Sequence, residues 1–142
     1  MTEILPYPQE PMIMTFSKLT PVLIVEDVNR MVDFYRDVLG FTLAATVPDA
    51  GAFVFAQMSQ GSIEMMFQTR ASIDDAMAPL QEKRSGGSLT IYIDVDDVDA
   101  LLADLDGKAE IVKGLEATFY GTREFTIVDP AGFYLTFAGG GN

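Results

Sequence analysis

The short motif Val25-Glu26-Asp27-Val28 returns 70 residues later as Val95-Asp96-Asp97-Val98. A repeat at that spacing is too long for a solenoid unit and marks the duplication of a half-domain. The chain therefore has to fold as two copies of one module. Each motif sits between an apolar, β-branched run and a helical pattern. "LTPVLIVEDV" reads as a buried strand, and Val28, Met31, Val32, Tyr35, Val38 and Leu39 then recur at helical spacing. Asp27 is placed to cap that helix and Gly40 to end it, with Asp97 as the second cap. Both aspartates look functional, but capping is the ordinary role for an acid at that point.

The pattern after each helix is also shared. "TLAATV", "AFVFAQMS" and "SIEMMFQ" read as three strands separated by Pro48-Asp49-Ala50-Gly51 and Ser59-Gln60-Gly61 turns. In the second half, "SLTIYIDV" is a strand and "DDVDALLADL" a shorter helix. "AEIVKGLEATFYG", "TREFTIVD" and "GFYLTFA" supply three more strands. The fold class is α+β. Residues 1–17, with Pro6, Pro8 and Pro11, read as an N-terminal arm whose apolar residues could pack on its own domain or reach a partner subunit. The modules span 18–68 and 88–138 within one domain. The polar segment 69–87 is a linker with one helical turn at 72–81, and 139–142 a flexible tail.

Composition narrows the chemistry. There is no cysteine and no histidine, so thiolate chemistry is excluded and the commonest general base and metal ligand are missing together. A formal net charge of −12 argues against a nucleic-acid partner and favours solubility, with a long-range pull on small cations. No apolar run is long enough to span a bilayer, and the start of the chain lacks signal-peptide character, so a cytoplasmic location is expected.

The stretches "LTPVLIVEDVNRMVDFYRDVLGF" at 19–41, "IDVDDVDALLADL" at 93–105 and "YGTREFTIVDPAGFYLTF" at 120–137 together resemble the vicinal oxygen chelate superfamily. That superfamily includes glyoxalase I, extradiol dioxygenases and bleomycin-resistance proteins, and the bleomycin-resistance-like branch is the better match. The resemblance covers about 18–138. It implies two βαβββ modules, each curling a four-stranded sheet, that form an open barrel-like cavity. It also implies a homodimer, as is usual among relatives.

Metal-dependent relatives carry four ligands, His and Glu from each module. Carried over by motif, the positions here are Thr20, Glu64, Thr90 and Thr136, with Ser88 as an alternative to Thr90. Three hydroxyls and one carboxylate suit a divalent ion poorly, so neither a metal nor another cofactor is expected. Strand alternation then adds Met66, Tyr92, Asp94 and Tyr134 to the cavity face, alongside Val22, Ile24, Ser62 and Ala138. Tyr120 offers a further aromatic face, and either Arg123 or Glu124 faces the cavity. Two readings remain: a metal-free protein that sequesters a small cationic or aromatic molecule, and a metal-free enzyme with Glu64 or Asp94 as base. An equal alternative makes Glu64 a residue held in an ion pair with no part in binding.

Overall fold

A computed structural model describes residues 14–140 of the chain. Most of the expected arm, 1–13, and the last two tail residues lie outside the described part. The first module runs β1 (Val22–Val25), α1 (Val28–Asp37), β2 (Thr42–Val47), β3 (Phe55–Gln60) and β4 (Ile63–Thr69). The second repeats it with β5 (Thr90–Asp94), α2 (Val98–Leu105), β6 (Glu110–Ala117), β7 (Thr122–Val128) and β8 (Tyr134–Gly140). Each module forms a four-stranded sheet, ordered β1-β4-β3-β2 and β5-β8-β7-β6. The first strand of each pairs in parallel with the last, and the remaining pairs are antiparallel. Among the described residues the two sheets do not close into a barrel.

Local chemistry accounts for the helices. Asp27 and Asp97 both adopt extended backbone and accept from the amides of Arg30 and Ala100, which satisfies one free amide in each first turn. The chain leaves α1 through Gly40 at φ +76°, a conformation that costs glycine little. One face of α1 carries Val28, Met31, Val32 and Tyr35, all buried. They pack on Leu23, Val25, Ala56, Met58, Met65 and Phe67 from the first sheet. Each such side chain contributes about 1.5–3 kcal/mol by leaving water. In the second module Val98 and Leu105 cover Phe125, Ile127, Leu135 and Phe137, and a single continuous core joins the two halves. The opposite faces of both sheets are left open.

Two expectations are corrected. The tail was expected from residue 139, yet β8 continues through Gly140, whose partner is Thr122, while Gly139 pairs with Arg123. Gly139 is buried against α2, where an added β-carbon would stand 3.1 Å from the Val98 side chain. The expected helical turn at 72–81 is instead 3-10 geometry over Arg70–Ser72 and Asp75–Glu82, the latter interrupted at Met77.

The linker is closely held. Arg70 donates to the carbonyls of Leu80 and Gln81 at 3.2 Å, to that of Lys83, and to Ser85 Oγ at 2.8 Å. Glu26 pairs with the same guanidinium, and Ser85 Oγ donates to the Ile24 carbonyl at 2.7 Å. Further along, Gly86 takes φ +95° where the chain passes the Asp129–Phe133 turn. A β-carbon at Gly86 would stand 2.3 Å from the Gly132 carbonyl oxygen.

Candidate functional site

On the first sheet, period-two alternation in β4 sends Met65 and Phe67 into the core and Glu64 and Met66 to the open face. Glu64 Oε2 accepts from Lys18 Nζ and Oε1 from Gln57 Nε2, both at 2.7 Å. The Lys18 hydrogen bond, followed by that of Gln57, holds the Glu64 carboxyl below the usual carboxylate range. Glu64 and Lys18, with Leu19 and Ser62, share a cavity of about 390 Å³ with Thr90 and Tyr92 at the junction of the modules. Thr20 stands beside it, half-buried ahead of β1. Asp94 does not join this group. It lines a separate cavity of about 400 Å³ with Leu39, Phe41, Ile63 and Phe137.

The open face of the second sheet is a network of hydroxyls. Thr90 Oγ1 lies 3.2 Å from Thr136 Oγ1, which lies 2.9 Å from Thr126 Oγ1, so one chain of hydroxyls crosses β5, β8 and β7. It is Thr90 on β5, rather than Ser88 ahead of the strand, that meets Thr136. Beside this chain, Glu124 Oε2 accepts from Tyr120 Oη at 2.8 Å, from Thr122 Oγ1 at 2.9 Å and from Tyr92 Oη. The Tyr92 bond is the main cause of a lowered Glu124 pKa, and Glu124 in turn pushes the Tyr92 phenol up to about 12. The Tyr92, Tyr120 and Tyr134 side chains remain 49%, 56% and 47% exposed.

Thr122, Thr126 and Gln57 were not named as site residues from sequence, and Glu124 was named only as the alternative to Arg123 for the cavity face. The signal for three of them was present: Phe125 and Ile127 are both apolar and both buried, so Thr122, Glu124 and Thr126 must face the other way. Arg123 turns from Glu124 and pairs with Asp99 of α2. Register also refines the repeat. Val22 pairs with Met66 as Tyr92 pairs with Thr136, so Met66 is the first-module counterpart of Thr136 and Glu64 that of Tyr134.

The model of the Glyoxalase/Bleomycin resistance protein/Dioxygenase superfamily matches residues 17–137. The chain belongs to that superfamily. Solved structures agree on the fold. TioX from Micromonospora sp. ML1 superimposes with a TM-score of 0.72 at 23% identity, covering 88% of this chain and 99% of its own. A protein of unknown function from Agrobacterium tumefaciens str. C58 gives 0.70 at 25% identity, covering 89% and 95%. A superfamily member from Sphaerobacter thermophilus DSM 20745 gives 0.70 at 19%, covering 87% and 98%. No curated protein matches in sequence.

For a member of this superfamily the first question is whether the residues fit a metal ion. Here they do not. At the positions suggested by the resemblance, Glu64 is the one carboxylate and is already neutralised by Lys18. The hydroxyls of Thr90 and Thr136 are hydrogen-bonded to each other, and neutral hydroxyls are weak donors to a divalent cation. Among the described residues no group of three or more Asp, Glu, His or Cys is placed to hold a metal.

Proposed function

We propose that the protein binds a small organic ligand on the open faces of its sheets, without a metal, and sequesters it rather than turning it over. The observation that carries this reading is the state of Thr90, Thr136 and Glu64. Their polar atoms are satisfied by one another, by Thr126 and by Lys18, and leave no set of anionic oxygens for an ion. What the faces offer instead is half-exposed tyrosine rings beside hydroxyls and carboxylates, a lining that suits an aromatic or cationic molecule.

The enzyme reading loses support at the same residue. A carboxylate held below its usual pKa is a weaker base, and Glu64 is held so by Lys18 and Gln57.

The proposal includes a homodimer. Met14, Phe16, Leu19, Val22 and Leu89 are exposed, apolar and in or near the segments that line the cavity between the modules, and a second copy would remove them from water. No helix is long and apolar enough to cross a membrane among the described residues. The absence of a nucleic-acid partner remains part of the proposal, on the acidity of the chain, and a cytoplasmic location is kept with it.

The test is a thermal-shift screen of small aromatic and cationic compounds, followed by calorimetry and a search for turnover. Saturable one-to-one binding with an unchanged ligand is the expected result. Catalytic consumption of the compound, or a requirement for added metal, would overturn the reading.

A further inference from the structure

Two carboxylates stand on the open faces, and their surroundings differ in one decisive way. Glu64 has a cation of its own, Lys18 at 2.7 Å. Glu124 has none within salt-bridge distance among the described residues. Lys113 is the basic residue whose charge reaches it, but Lys113 is committed to Glu116 at 2.8 Å. The partners of Glu124 are hydroxyls: Tyr92, Tyr120 and Thr122, all donating to Oε2. Oε1 accepts no hydrogen bond among the described residues.

Hydroxyl donors keep a carboxylate ionised without cancelling its charge. The three bonds also fix the carboxylate plane, since they come from β5, from β7 itself and from the β6–β7 turn. Two of the donors are tyrosines whose rings are half exposed, and an aromatic face attracts a cation. Phe119, in edge-to-face contact with Tyr120 at 4.9 Å, extends the aromatic surface and is itself fully exposed.

We infer that Glu124 anchors the positively charged nitrogen of an organic amine, with Tyr92 and Tyr120 holding the carboxylate in place and lending their rings. The chemistry selects a protonated amine. Such a group has an N–H for Oε1, whereas a quaternary ammonium has none and a neutral isostere gains nothing from the charge. The inference rests on the ligand-binding reading above and names the ligand class for it.

The experiment is a titration of the full chain, followed by amide NMR, with benzylamine and with benzyl alcohol at neutral pH. Wild type is compared with Glu124→Gln and with Glu82→Gln, which removes one charge from the remote linker. We expect benzylamine to shift the signals of Tyr92, Tyr120 and Thr122 and to bind more tightly than benzyl alcohol. Its affinity should fall about 10-fold or more in Glu124→Gln, as loss of a charged hydrogen bond implies, and stay within about twofold in Glu82→Gln. Benzylamine binding that ignores Glu124→Gln, or that shifts residues elsewhere, overturns the inference. If benzyl alcohol shifts the open faces and benzylamine binds no better, the amine assignment alone fails. If neither probe shifts those faces, the ligand-binding reading falls with it.

Discussion

Tyr35 Oη donates to Asp129 Oδ2 at 2.7 Å, and both groups are buried. Tyr35 lies on α1 of the first module and Asp129 in the β7–β8 turn of the second, 94 residues away. Asp129 Oδ1 also accepts the amides of Ala131 and Phe133 at 2.9 Å, so one side chain shapes its own turn and ties the two halves together. Burial raises the Asp129 pKa, against the lowering effect of these bonds, and burial raises that of Tyr35 well above the ordinary value.

Tyr35→Phe leaves the ring packing intact and removes one donor from a buried carboxylate. The expected loss of stability is about 1–3 kcal/mol, measured by urea unfolding. The loss should shrink below the folded pKa of Asp129, where the group becomes neutral. An unchanged unfolding midpoint would show that the hydrogen bond adds nothing.

Tyr92 supplies a prediction in alkali. Its folded pKa of about 12 exceeds the ordinary 10.0, so its contribution to stability is present below pH 10 and is lost as pH rises toward 12. Ultraviolet titration of tyrosinate should show a late-ionising group that returns toward 10 in Glu124→Gln. Glu124 works in the opposite sense: its pKa is lowered from 4.5, so its contribution is present above that value and is lost as pH falls. Glu124→Gln should therefore flatten both ends of the stability profile.

Gly86→Ala should be among the more damaging single changes outside the core. The left-handed backbone alone costs a non-glycine residue about 1–2 kcal/mol. The added carbon would also press on the Gly132 carbonyl oxygen at 2.3 Å. Thermal denaturation should show a markedly lower midpoint, whereas Gly87→Ala, with open space around it, should show strain only.

The assembly prediction is read by light scattering. A dimer mass is expected at micromolar concentration, and Phe16→Asp together with Leu19→Asp should shift it toward the monomer while leaving the circular dichroism spectrum unchanged. A wild-type monomer would remove the dimer from the proposal.

Elemental analysis of the purified protein should find no stoichiometric zinc, nickel or iron, and chelator should leave the melting temperature where it was. About one bound ion per chain that resists chelation would contradict the donor-set argument.

Much of this architecture is legible in the sequence because its causes are local. Caps at Asp27 and Asp97, the helical stripe of α1 and the alternation in β4 and β8 each act within a few residues. The misses have long-range causes. Gly139 and Gly140 carry no side-chain pattern, and their place in β8 is decided by pairing with β7. The Tyr35–Asp129 bond and the hold of Arg70 on the linker depend on tertiary neighbours that no spacing announces. Glu124 is a different case. Its direction follows from Phe125 and Ile127 alone, but its importance comes from tyrosines on β5 and the β6–β7 turn that only the folded sheet brings to it.

The hold of Arg70 on the linker has a topological consequence. A duplicated chain has two ways to unite its halves, by folding back on itself or by trading a half with a neighbour. A slack connection leaves that choice to concentration. By gathering the carbonyls of 80, 81 and 83 around one guanidinium, the protein shortens the reach of the connection and keeps each half in the vicinity of its sister. The high local concentration that follows favours self-pairing over exchange. Trading of whole halves with a second copy is disfavoured to the same extent.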